Sequence, residues 1–127
     1  MPRNDTESHY WFELAADDEK SARILVREGA SPDMAAYHYH QAVEKTLKGI
    51  IVAKNGEVPR VHDLDRLFKV AERLGTSFMP DDFDTLNLIQ SYYSDLRYPH
   101  GERLGNQDLE HIIAAFERLS FIGKPAG

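Results

Sequence analysis

A long helical pattern runs from Met34 to Lys54, MAAYHYHQAVEKTLKGIIVAK. On a wheel of 3.6 residues per turn, it divides into an apolar face and a polar face. The apolar positions are Ala36, Val43, Leu47, Ile50 and Ile51. The polar positions are His38, Gln41, Lys45 and Lys48, with Glu44 beside them. Because an imidazole, an amide and two ammonium groups share one row, this face is either solvated surface or a binding site for an anionic ligand.

Four further helical patterns flank this segment, and no part of the chain alternates between apolar and polar residues as a half-buried strand does. The connections are short except for two, Asn55 to His62 and Tyr98 to Gln107. Short connections between long helices favour an all-α, up-and-down bundle of about five helices. The predicted ranges are Thr6 or Ser8 to about Glu28, about Asp63 to Leu74, about Asp81 to Leu96, and Asn106 or Asp108 to about Ile122. Asp33 is the predicted cap of the second helix, and Asn55-Gly56 is its predicted C-terminal stop.

One carboxylate is out of place in the first helix. Trp11, Leu14, Ala15, Ala22, Leu25 and Val26 form an apolar stripe at helical spacing, and Asp18 lies in the middle of it. A buried carboxylate without a partner is costly. We therefore expect Asp18 to meet a basic or hydrogen-bonding group inside the bundle.

Composition limits the class of protein. The chain has 127 residues, 42% hydrophobic and 28% charged, which predicts one globular domain over residues 1–127 with flexible ends at 1–5 and 123–127. No apolar run reaches the ~20 residues that span a bilayer, and no signal-peptide pattern precedes the first helix, so we expect a cytoplasmic protein without membrane association. The net charge of -6 argues against nonspecific binding of duplex DNA.

Common metal and cofactor motifs are missing from the sequence. There is no cysteine, and His38 and His40 point about 200° apart on a helix, so they cannot grip one ion. The chain contains no HExxH, no GxxxxGK[ST], no GxGxxG and no GxSxG. We predict neither a metal nor a cofactor.

A second candidate site is the segment from Tyr92 to His100, YYSDLRYPH. Tyr93 and Arg97 are four residues apart and share a face if the helix continues that far. The Arg97 guanidinium can clamp a phosphate or carboxylate through two hydrogen bonds. The alternative is structural: Arg97 pairs with Asp18 or Glu44 and ties helices together, while the tyrosines pack.

Taken together, these segments resemble the HEPN family of small helical domains. The resemblance rests on Trp11 with Ala16 and Asp18, the run His40 to Lys48, Val58-Pro59, His62-Asp63-Leu64, and Arg97-Tyr98-Pro99. The resemblance implies a five-helix core that commonly forms a homodimer, with a polar groove near the dimer interface. Many bacterial members are encoded beside a small nucleotidyltransferase and form a two-component or toxin–antitoxin system with it. This chain lacks the sheet and paired acidic residues of a transferase, so such a partner would be a separate protein.

Some HEPN members are metal-independent ribonucleases that carry Arg-x(4–6)-His near the start of the last core helix. Here two residues separate Arg97 from His100, seven separate Arg103 from His111, and the five between Arg3 and His9 lie in the N-terminal segment. The motif is therefore absent at the expected place, which makes the chain less consistent with an enzyme.

Three hypotheses remain open from the sequence. The first is a non-catalytic module that binds a nucleotide or other phosphate-bearing ligand. Its contacts would be His38, Gln41, Lys45, Lys48, Tyr93 and Arg97, with Asp18 and Glu44 orienting the basic groups. The second is a ribonuclease toxin that cleaves RNA with Arg97 and His100. The third is a dimeric interaction module without a ligand.

Overall fold

The computed structural model describes residues 3–96 and 103–122, with side chains over 6–93 and 103–122. Within these ranges the chain forms five α-helices and no strand, which confirms the all-α prediction. The helices are α1 Arg3–Arg27, α2 Pro32–Ala53, α3 Leu64–Arg73, α4 Asp82–Leu96 and α5 Asn106–Arg118. None of these helices is both long enough and apolar enough to cross a membrane.

Helix α2 is the central element of the bundle. Each helix packs against the next along the chain, and α2 also packs against α4 and α5, so it contacts all four of the others. The largest fully buried apolar side chains come from four helices: Val43, Leu47, Ile51, Leu64, Leu67, Leu86, Ile89 and Ile112. A helix surrounded in this way buries more than one face. That is why polar residues His40 and Glu44 of α2 are also buried.

Three helices end in the same manner. The residue after the last turn takes a left-handed backbone conformation, with φ of 68° at Gly29, 65° at Asn55 and 103° at Gly75. The next N–H then donates to a carbonyl five residues earlier, at 2.9 Å for Ala30 to Leu25, 2.9 Å for Gly56 to Ile51 and 3.0 Å for Thr76 to Ala71. This pattern is a Schellman motif. It confirms Asn55-Gly56 as the stop of α2.

The predicted start of α1 was wrong. The helix begins at Arg3 rather than at Thr6 or Ser8, because no glycine or proline interrupts the sequence from there to Gly29. Residues 3–5, expected to belong to a flexible end, are the first residues of the helix. Residues 1–2 and 123–127, the rest of both expected flexible ends, lie outside the described residues.

Asp33 is not the cap of α2. Ser31 occupies the N-cap position, and Asp33 lies in the first turn of the helix. Its carboxylate instead accepts a 2.8 Å hydrogen bond from the backbone N–H of Leu104 and a 3.0 Å one from Arg103 Nε. These bonds tie the start of α2 to the segment before α5, a connection that local capping rules do not predict.

A buried carboxylate at the start of α4 explains why α5 is shorter than predicted. Asp82 accepts hydrogen bonds from the N–H of Met79 at 2.8 Å and of Ser120 at 3.0 Å. The Ser120 hydroxyl donates to the same carboxylate. The chain leaves the helix after Arg118, with Leu119 extended, rather than at the predicted Ile122, and the turn brings Ser120 onto Asp82.

Candidate functional site

The carboxylate of Asp18 is buried between α1 and α2, and it has the basic partners that the sequence required. One oxygen lies 2.9 Å from His38 Nδ1 and the other accepts a hydrogen bond from Lys45 Nζ at 2.5 Å. The Asp18 side chain is 11% exposed, whereas the His38 and Lys45 side chains keep 24% and 23% of their surface exposed. Asp18 therefore holds both basic groups by hydrogen bonds, while each side chain stays partly exposed to solvent.

Glu44, on α2, has a carboxylate that is more deeply buried than that of Asp18. Its side chain is 3% exposed and accepts a 3.0 Å hydrogen bond from Lys48 Nζ, which is itself on a side chain only 11% exposed. His62, from the connection between α2 and α3, approaches the same carboxylate with Nδ1 at 3.3 Å. The Lys48 ammonium also lies 5.3 Å from the centre of the Trp11 ring on α1, within cation–π range.

These contacts form two neighbouring groups on α2, Asp18 with His38 and Lys45 and Glu44 with Lys48 and His62; we call the six side chains together the polar cluster. Two carboxylates face two ammonium groups, so the cluster is internally compensated when both imidazoles are neutral. Such pairing is what burial demands, because an unpaired buried charge is strongly destabilising. The sequence placed Glu44 at the edge of a polar row; in the structure it is the most buried member of that row.

Gln41 lies on α2 between His38 and Lys45, one helical turn from each, and is half-buried. Its amide can donate and accept hydrogen bonds. It therefore lies in the row where the sequence put it, beside the two basic groups that keep solvent exposure.

Tyr93 lies on the other side of α2, on α4. Its ring stacks on the buried His40 imidazole with centroids 3.7 Å apart and planes at 15°, and its centroid is 6.3 Å from that of Tyr37. His40 Nε2 lies 3.0 Å from Gln90 Oε1, which also accepts a hydrogen bond from the backbone N–H of Leu64. The two histidines of α2 thus point to different helices, His38 to α1 and His40 to α4, as their spacing predicted.

Arg97 and His100 lie outside the described residues. Their contacts with a ligand, with RNA or with Asp18 therefore remain predictions from the sequence. Within 3–96 and 103–122, no group of three or more His, Asp or Glu side chains is arranged to hold a metal ion.

Two contacts of the cluster were not identified from the sequence. His62 was singled out only for the resemblance, not as a partner of Glu44, and Trp11, which lies against Lys48, only as a residue of the apolar stripe. No local pattern connects either to Glu44 or Lys48, because the contacts join segments distant in sequence. The one available signal was the spacing of Glu44 and Lys48 on α2, because a carboxylate and a lysine one turn apart need polar or aromatic partners when they are buried.

A comparison with known protein families matches the HEPN domain to residues 8–122. The match covers all five helices except residues 3–7 of α1. Neither the curated proteins nor the solved structures contain a significant match to this chain.

Proposed function

The chain belongs to the HEPN domain family, and we propose that it binds a nucleotide or another phosphate-bearing ligand where α1 meets α2. In this proposal the ligand contacts His38, Gln41 and Lys45, and Arg97 supplies a further cation. Tyr93, which stacks on His40 on the other side of α2, is not one of the contacts. The chain would act with a separate small nucleotidyltransferase in a two-component or toxin–antitoxin system.

The observation that carries the proposal is the position of Lys45 and His38 on one buried carboxylate. Asp18 holds both groups at hydrogen-bond distance, so their rotamers are restricted before any ligand arrives. Lys45 uses one of its three N–H groups on Asp18 and has others for an anion. A preorganised pair loses less side-chain entropy on binding than two free surface chains.

Lys48 has a different role in the proposal. Its side chain is nearly buried and paired with Glu44. Lys48 therefore stabilises the helix that carries the site, and it is not a ligand contact. We therefore expect Lys45 substitutions to act on affinity and Lys48 substitutions to act mainly on stability.

The experiment is isothermal titration calorimetry with ATP. Lys45→Met and Arg97→Ala should each weaken binding by about tenfold or more, the loss of one charge-assisted hydrogen bond. Lys20→Met, which removes a charge from an exposed position of α1, is the matched control and should bind like the parent. Absence of heat and of any thermal shift with a panel of nucleotides at millimolar concentration would contradict the proposal.

The proposed partner is tested by co-purification. A tagged chain is expressed with a small nucleotidyltransferase encoded beside its gene, and a stable complex is expected. If no neighbouring gene encodes such an enzyme, or the two proteins elute separately, the two-component part of the proposal is wrong.

Internal charge pairing also favours a second candidate function, a dimeric interaction module in which the cluster only holds α1 and α2 together. This candidate predicts a stable complex with a second copy or a partner protein that survives the double substitution of Lys45 and Arg97. Loss of that complex on the double substitution would favour ligand binding instead.

A further inference from the structure

A second polar region lies where α3 meets the segment that connects it to α2, and it was not singled out from the sequence. An open pocket of about 600 Å³ is formed by α3 and the segment that leads into it. Its cationic wall consists of Arg66, Lys69 and Arg73, and its apolar floor consists of Pro59, Val61 and Val70. The volume is within the ~300–1,000 Å³ typical of small-molecule sites.

The three cations share one wall because of their spacing. Arg66, Lys69 and Arg73 follow one another by three and four residues, so they form a row along one face of α3. From the first to the last, the row covers roughly 10 Å of helix axis. Several N–H donors therefore face the same volume.

These cations lack the partners that the lysines of the polar cluster have. No salt bridge joins Arg66, Lys69 or Arg73 to a carboxylate in the part of the chain that the structure describes. Glu72 also lines the pocket and leaves a formal excess of two positive charges. The Lys69 ammonium makes a cation–π contact with Phe83, 5.4 Å from the centre of the ring. In a chain with a net charge of -6, this local excess favours a compact anion.

We propose that this pocket binds a small organic phosphate, separately from the site between α1 and α2. The phosphate contacts the guanidinium groups of Arg66 and Arg73 and the ammonium of Lys69. The organic part of the ligand rests on Pro59, Val61 and Val70. Guanidinium groups suit the oxygens of a phosphate because they donate two parallel hydrogen bonds.

Two features of the pocket favour a small ligand over a nucleic acid. Three cations supply few phosphate contacts, and the rest of the acidic chain repels a long polyanion. The apolar floor would remain uncovered by a phosphate backbone alone. A compact phosphate ester with an apolar group uses both the wall and the floor.

The test uses phenyl phosphate as the probe, followed through the backbone amide signals of the full ¹⁵N-labelled chain. Saturable shifts are expected for residues 59–61 and 66–73. Inorganic phosphate and phenol each lack one half of the interaction and should bind about tenfold or more weakly. Glucose 6-phosphate, whose organic part is polar, should also bind more weakly than phenyl phosphate.

The variant Arg66→Ala/Lys69→Ala/Arg73→Ala should lose these shifts. All three positions are exposed, so folding is not at risk. The matched control is Lys20→Ala/Arg27→Ala/Arg118→Ala, which removes three charges from exposed positions elsewhere and should bind like the parent. Equal binding by both variants, or no saturable shift at α3 with phenyl phosphate at millimolar concentration, would overturn the proposal.

The test also separates this proposal from the one above. Shifts at Asp18, His38 and Lys45 report on the site between α1 and α2, and they should persist in the α3 variant with ATP. If the parent chain shows no α3 shifts with phenyl phosphate, the α3 pocket is overturned; if it shows no α1–α2 shifts with ATP, the proposed function is overturned.

Discussion

The polar cluster between α1 and α2 and the cationic pocket on α3 contain similar residues in opposite surroundings. In the cluster, Lys45 and Lys48 are held by Asp18 and Glu44, with side chains 23% and 11% exposed. On α3, Arg66, Lys69 and Arg73 are exposed, and no described carboxylate forms a salt bridge with them. Burial requires that charges be paired, whereas exposure allows them to remain available to a ligand.

The two regions should respond differently to substitution, the cluster in the stability of the fold and the α3 pocket in ligand binding. Substitutions in the cluster should cost stability in proportion to the burial of the group left without a partner. Substitutions on α3 should cost little stability and change only binding.

Glu44→Ala should have the largest effect. It leaves the Lys48 ammonium nearly buried without its carboxylate, and breaking such a pair costs about 3–5 kcal/mol. The measurement is the free energy of unfolding from urea denaturation. The double variant Glu44→Leu/Lys48→Leu removes both charges and should recover most of the loss. If Glu44→Ala costs less than about 1 kcal/mol, in the range of a surface ion pair, the pair is not buried as described.

Asp18→Asn should have an intermediate effect. The amide keeps the shape of the side chain but removes the charge that faces Lys45 and His38, at a cost of about 1.5–3 kcal/mol for hydrogen bonds to a charged group. The loss should be smaller than for Glu44→Ala, because the Lys45 and His38 side chains can turn partly into water. Asp17→Asn, at an exposed neighbouring position, is the control. A larger loss for Asp18→Asn than for Glu44→Ala would reverse the proposed order of burial.

The α3 variant Arg66→Ala/Lys69→Ala/Arg73→Ala should have the smallest effect on stability. Surface substitutions away from paired groups usually change the free energy of unfolding by no more than about 0.5 kcal/mol each. Thermal melting should therefore give a Tm close to that of the parent. A drop comparable with that of Glu44→Ala would mean that these cations hold the fold, and the contrast between the two regions would be lost.

The fold could be predicted because its signals are local. Helical periodicity located all five helices, and Asn55-Gly56 marked the end of α2 correctly. The errors occur where distant segments meet. Asp33 bonds to Arg103 and Leu104 instead of capping α2, and the Asp82–Ser120 contact accompanies the early end of α5.

The candidate site was only partly predictable for the same reason. The burial of Asp18 and its need for a basic partner followed from its place in an apolar stripe. A helical wheel treats α2 as having one buried face, but α2 contacts four helices, and so it placed Glu44 too close to solvent. The α3 row was missed because three cations on a short amphipathic helix are typical of a solvated face, and only the tertiary structure places Pro59 and Val61 beside them.

The central claim is that the preorganised pair on Asp18 receives a phosphate-bearing ligand. Its most direct test is a titration of the ¹⁵N-labelled chain with ATP, followed at the amides of His38, Gln41 and Lys45. We predict saturable shifts at these residues that are lost in Lys45→Met and kept in Lys20→Met. Saturation with shifts confined to α3, or no shift at any residue at millimolar ATP, would contradict the account.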